Sequence, residues 1–182
     1  QTEIEQGLRG AIGNRRIFPL VCTSALANIG IQQWLDAIVT YLPSPADHPL
    51  PAVNRQNDEA ALYDSSQDSD SAAFVWKTIA DPFAGRITLF RVAAGSLASD
   101  QSIYNLSRDT TERFGGLAVL QGKIQTPVDQ VRAGDLGAVT KLKETQTSDT
   151  LASKDSAFVF PSITFAEPVL SYAIEPKSRG DE

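Results

Sequence analysis

Between Ala72 and Leu151 the chain is divided into short β-branched or period-two runs by turn signals at close intervals. Runs of this length, bounded by Gly, Pro, Asn, Asp and Ser, read as strands. The expected strands are Ala73 to Ile79, Arg86 to Ala93, Gln101 to Asn105, Arg113 to Leu120, Ile124 to Val131, Leu136 to Leu142, and a short piece near Leu151. The turns between them fall at Asp81-Pro82, Ala94-Gly95-Ser96, 107–110, Gln121-Gly122, Gly134-Asp135 and Ser148-Asp149. Many short strands so closely spaced favour a small closed barrel over an open sheet, because closure removes exposed edges. The fold class expected is therefore mainly β: a small closed barrel preceded by a short α/β segment.

That segment is read from the first 45 residues. Ile4, Leu8, Ala11 and Ile12 recur at helical spacing. Ile17 to Cys22 is an apolar run that reads as a short strand, with Cys22 a small core residue. Asn28 is the expected cap of a helix whose stripe is Ile31, Trp34, Leu35, Ile38, Val39 and Leu42, ended by Pro43 and Pro45. Both Trp34 and Trp76 read as packing residues. The stretch 46–71 is polar and acidic and reads as an exposed connector, anchored locally by Leu62 and Tyr63. After Pro161 the pattern restarts with Ile163 to Phe165 and Val169 to Ile174, and 161–182 reads as the first strand of a further domain.

The net charge of −6 argues against a generally basic nucleic-acid binder. Its distribution is uneven. Residues 43–84 hold two Lys/Arg against seven Asp/Glu, whereas 85–150 hold eight against seven. The acidity thus belongs mainly to the connector, which leaves room for a local basic face on the β region. Cys22 is the only cysteine, so neither an intrachain disulfide nor a cysteine zinc cluster is available. The sole histidine, His48, lies between Asp47 and Pro49 and reads as a solvated loop residue, not the base of a triad. Asp64, Asp68 and Asp70 lack the glycine and distal glutamate of an EF-hand calcium loop. There is no methionine, which reads as a segment of a longer protein.

Five phrases, in order, resemble the middle of elongation factor G, the GTP-driven translocase. Val21 to Gln32 is similar to the last guanine-nucleotide motif of that family's GTPase domain. Asp36 to Pro45 is similar to the helix that follows. Asp81 to Val92 with Gly95 resembles the opening hairpin of the second domain, and Arg132 to Leu151 its closing half. Glu167 to Leu170 and Ile174 to Lys177 resemble the entry into the third domain. Two departures, Phe114 to Gln125 in place of a basic histidine-containing phrase and Ser148 in place of a glycine, point toward divergent elongation-factor-G-like paralogues.

The resemblance implies a division into the end of a GTPase domain (1–45), the connector (46–71), the second-domain barrel (72–160) and a truncated third domain (161–182). It implies that Ser24, Ala25 and Leu26 face a guanine base in the whole protein, which would use GTP and magnesium. It also implies docking on the small ribosomal subunit in the cytoplasm, in a monomeric fragment whose other partners are its own neighbouring domains. By residue type Arg86, Arg91, Lys123, Lys141 and Lys143 are the candidates for contact with its RNA phosphates, and read equally as solvated charges on strand faces. The sequence contains no Gly-rich phosphate loop ending in Lys-Ser/Thr, so no catalytic residue, cofactor or metal is expected of this chain itself. Two alternatives stand beside this reading. One is a free-standing barrel that binds RNA or protein. The other is part of a ribosomal-protection or release-factor-type GTPase.

Overall fold

The computed structural model describes residues 2–63 and 70–177. Two helices come first, α1 (Thr2–Gly13) and α2 (Ile31–Tyr41), packed against each other. Next come β1 (Leu50–Asn54), β2 (Ala60–Tyr63), β3 (Ala72–Asp81), β4 (Gly85–Ala94), β5 (Ser96–Ala98), β6 (Ser102–Asn105) and β7 (Thr110–Arg113). They are followed by β8 (Leu117–Gln121), β9 (Ile124–Val128), β10 (Gln130–Arg132), β11 (Leu136–Thr140), β12 (Thr150–Ala152) and β13 (Phe158–Val159). The chain is mainly β. No helix among the described residues is long and apolar enough to cross a membrane.

An eight-stranded antiparallel sheet runs β7-β6-β12-β3-β4-β11-β8-β9. Alternation sends one side of each strand inward. Val75, Phe90, Val92, Leu97, Phe114, Leu117, Val131, Val139 and Leu151 meet in one core, with the rings of Phe90 and Phe114 stacked 5.8 Å apart. Among the described residues no ladder joins the outer strands β7 and β9. β5 and β10 form a separate antiparallel ribbon, extended by Ser99 N–H to Asp129 O at 2.9 Å. The strands expected of the barrel thus wrap around one main core, to which the separate two-stranded ribbon contributes Leu97 and Val131.

Several expectations needed revision. Residues 114–116 divide β7 from β8, because β7 pairs with β6 at one end of the sheet and β8 with β11 and β9 near the other, and β9 is separate from β10, because the backbone there leaves the sheet for the ribbon. No strand forms over 17–22. A strand exists only by pairing, and none of the described residues pairs with this run, so Phe18 and Leu20 are exposed and Cys22 is not in a core. Asn28 does not cap α2. It sits at φ 52° inside the turn from Ser24 to Ile29, and Gly30 at φ 73° precedes the helix. The helix does end before Pro43, with Leu42 in the extended conformation that a following proline requires. The apolar stripe of α2 is not buried, and Trp34 is 43% exposed.

The acidic connector contains order that its composition hides. β1 pairs with β2 and with β13. Ala52 and Phe160 are buried there, and Tyr63 and Phe74 meet Phe160 edge-on. The residues that carry the calcium-loop comparison, Asp64 and Asp68, lie outside the described residues. The strand expected over Val169 to Ile174 is not formed. This tail pairs with nothing described, and Val169, Tyr172 and Ile174 are exposed.

Candidate nucleic-acid interface

The β3–β4 hairpin and the loop after β11 meet at one end of the sheet. Thr140 lies opposite Ile87, and the Lys141 amide donates to Arg86 O at 3.1 Å. Arg86 Nη1 in turn donates to the carbonyls of Lys143 and Thr145, at 3.1 and 3.4 Å. Arg86, Lys141 and Lys143 are therefore brought together, all exposed.

The loop that carries the two lysines is fastened from beneath. The Glu112 carboxylate, almost fully buried, accepts the amides of Lys143, Glu144 and Thr145 at 3.2, 2.8 and 2.9 Å, and the Thr145 hydroxyl at 3.0 Å. Burial alone would raise its pKa. The backbone amides of Glu144, Lys143 and Thr145, with the Thr145 hydroxyl, outweigh that and hold it below the ordinary carboxylate value. A second knot follows at once. Asn105 Nδ2 donates to Thr145 Oγ1 and Asp149 Oδ2, and Arg108 pairs with Asp149 at 3.3 Å. Ser148 adopts φ 79°, a left-handed conformation that glycine takes without strain, which gives a backbone reason for a glycine preference at this turn.

The remaining expected contacts lie elsewhere. β8 runs antiparallel to β11 with Ala118 opposite Ala138, so the turn holding Lys123 falls at the Asp135 end, away from Lys141. Arg91 sits between Phe74 and Leu136 in the ladder, half-buried, and its Nε has no hydrogen-bond partner among the described residues. Ser24 to Ile29 forms a tight turn in which the Ser24 amide donates to Ile29 O and the Asn28 amide to Ala25 O. Leu26 is wholly exposed, so Ser24, Ala25 and Leu26 by themselves enclose no base. No cluster of potential metal ligands occurs among the described residues.

Two residues at the basic end were not singled out from sequence. Arg113 lines a concavity of about 350 Å³ with Asp100, Gly115, Gly116, Thr140 and Lys141. Phe83, at the tip of the β3–β4 hairpin, is 99% exposed. The signal for Phe83 was its place in the Asp81-Pro82 turn, where an apolar ring has no sheet to pack on. Arg113 carried no such signal, since Thr140 and Lys141 come from the end of β11, which is not its neighbour in the sheet order.

A family model for elongation factor G domain 2 matches residues 70–154. Among solved structures, a protein from Thermus thermophilus has a similar fold. Its TM-score is 0.67 at 22% identity, and the match covers 85% of this chain and 21% of that one. The chain thus spans about a fifth of that protein's length.

Proposed function

We propose that this chain, whose residues 70–154 match the family model for elongation factor G domain 2, is the ribosome-docking portion of a translational GTPase acting in translocation in the cytoplasm. The barrel would couple a GTPase domain to small-subunit ribosomal RNA. GTP and magnesium would be bound by the whole factor, with Ser24, Ala25 and Leu26 contributing only the edge of its guanine site. The stretch from Phe114 to Gln125 favours a divergent paralogue over the housekeeping translocase.

The observation that carries this reading is the fastened basic loop. Lys141 and Lys143 stand beside Arg86 on a backbone pinned by Glu112, so their charges are presented without the entropy cost of ordering a free loop. Arg91 and Lys123 lie apart from this cluster and would contribute separately.

The test is binding to purified small ribosomal subunits across a salt series. Neutralising Lys141 and Lys143 together (Lys141→Gln/Lys143→Gln) is expected to weaken binding and reduce the salt slope by about 2, one for each lost phosphate contact. A slope unchanged by the double substitution would overturn the assignment of this face.

A further inference from the structure

We propose that Phe83 is a base-stacking residue, which inserts against an unpaired base of the RNA held by Arg86, Lys141 and Lys143; this rests on the docking reading above. Phe83 leaves almost its whole ring in water. Nothing in the hairpin's own packing accounts for it. Three residues away, Arg86 begins the basic end.

The tip is also stiff. Asp81 Oδ1 accepts the amides of both Phe83 and Ala84, at 2.9 and 2.7 Å, and Gly85 closes the turn at φ 74°. Those two amides hold the Asp81 carboxyl below its usual value. Glycine permits this φ freely, whereas a side chain would be strained there. An aromatic ring presented on a rigid turn loses little conformational freedom when a ligand covers it.

The cations favour RNA over protein as that ligand. Sequence-tolerant recognition of RNA combines cations that track phosphates with aromatic rings on which splayed bases stack. A protein partner of similar affinity would call for a contiguous apolar patch. Pro82 and Gly85 beside the ring supply little apolar area, and the nearby cluster of Ile87, Leu89 and Ala138 with Ala84 packed on it is already buried. Arg86 follows three residues on, with its carbonyl bonded to the Lys141 amide.

The probe is an RNA stem-loop carrying 2-aminopurine in its loop, titrated with the full 182-residue chain. Stacking on Phe83 is expected to change the 2-aminopurine fluorescence at saturation. Phe83→Ala should abolish that change and weaken binding about 10-fold. Phe83→Tyr should keep both, and Phe83→Leu, which is apolar without a π face, should restore neither. Asp81→Ala, which frees the tip, should weaken binding less than Phe83→Ala while leaving the fluorescence endpoint intact. Thermal melting of each variant checks that the fold is kept.

If Lys141→Gln/Lys143→Gln weakens binding while Phe83→Ala matches the parent chain in affinity and fluorescence, the stacking role is overturned and the docking reading stands. Phe83 would then be an anchor for a protein surface. If the parent chain shows no salt-dependent binding to the stem-loop or to small subunits, both are overturned together.

Discussion

Glu112 Oε1 accepts both the backbone amide and the side-chain hydroxyl of Thr145, at 2.9 and 3.0 Å. The two residues lie on β7 and on the loop after β11, elements that are not neighbours in the sheet order. One carboxylate thereby tethers the loop bearing Lys141 and Lys143 to the edge strand β7. Hydrogen bonds to a charged acceptor are the stronger kind, and burial shields this one from water.

Glu112→Ala is expected to cost about 3 kcal/mol in urea unfolding, since it strands the buried amide and hydroxyl of Thr145 and removes two further charge-assisted bonds. Glu112→Gln keeps the shape but loses the charge. The sign of the pH effect follows from a folded-state pKa depressed below 4.5. The stabilisation is fully present above the unfolded value and is lost as the pH falls through the depressed folded value. The stability gap between the parent chain and Glu112→Gln should therefore be widest near neutrality and narrow below pH 4.5. A gap that does not depend on pH would show that the charge is not what holds the loop.

Gly137 faces the core, where a Cβ would lie 2.6 and 2.8 Å from Phe90 ring atoms and 3.0 Å from Val131 Cγ2. Neither neighbour has room to retreat, because Phe90 is fully buried against Phe114. Gly137→Ala should destabilise the domain by about 1–3 kcal/mol through overpacking. Adding Phe90→Leu should recover part of that loss, whereas independent sites would simply add their costs.

Phe160 joins the β1–β2 hairpin to the sheet. Its ring meets Tyr63 and Phe74 edge-on, and its amide donates to Thr150 Oγ1 at 2.9 Å. Phe160→Ala should destabilise the hairpin's docking by about 3–5 kcal/mol. Hydrogen exchange reports which unit is affected: the Ala52 and Val53 amides should lose protection before those of Val75 and Val92. Equal loss at all four would mean that hairpin and barrel form one cooperative unit.

Strands with their own alternation were legible. Ala73 to Ile79 and Arg86 to Ala93 are found within β3 and β4, because a period of two and a flanking Asp81-Pro82 turn are local facts. β5 was not legible, since Ser96–Ala98 is too short to show a period and forms only by pairing with β10. Nor was the hairpin in the acidic stretch. Its polar residues point to water, and its few apolar ones are buried only against Phe160 and Phe74. The candidate site divided in the same way. Arg86, Lys141 and Lys143 were named from their residue type and converge in space. Arg91 and Lys123 were named on the same ground and lie apart from them.

By itself, the sequence determined that residues 72–152 form short strands joined by tight turns, because alternation and turn chemistry act within a few residues of each other. It also carried the resemblance that the family-model match to residues 70–154 bears out, through phrases such as Arg132 to Leu151. Only the tertiary structure decided which charges share a face, that Glu112 fastens the basic loop, and that the runs at 17–22 and 169–174 stay unpaired. Those outcomes depend on partners far away along the chain, and neither a strand ladder nor a buried carboxylate exists until its partner arrives.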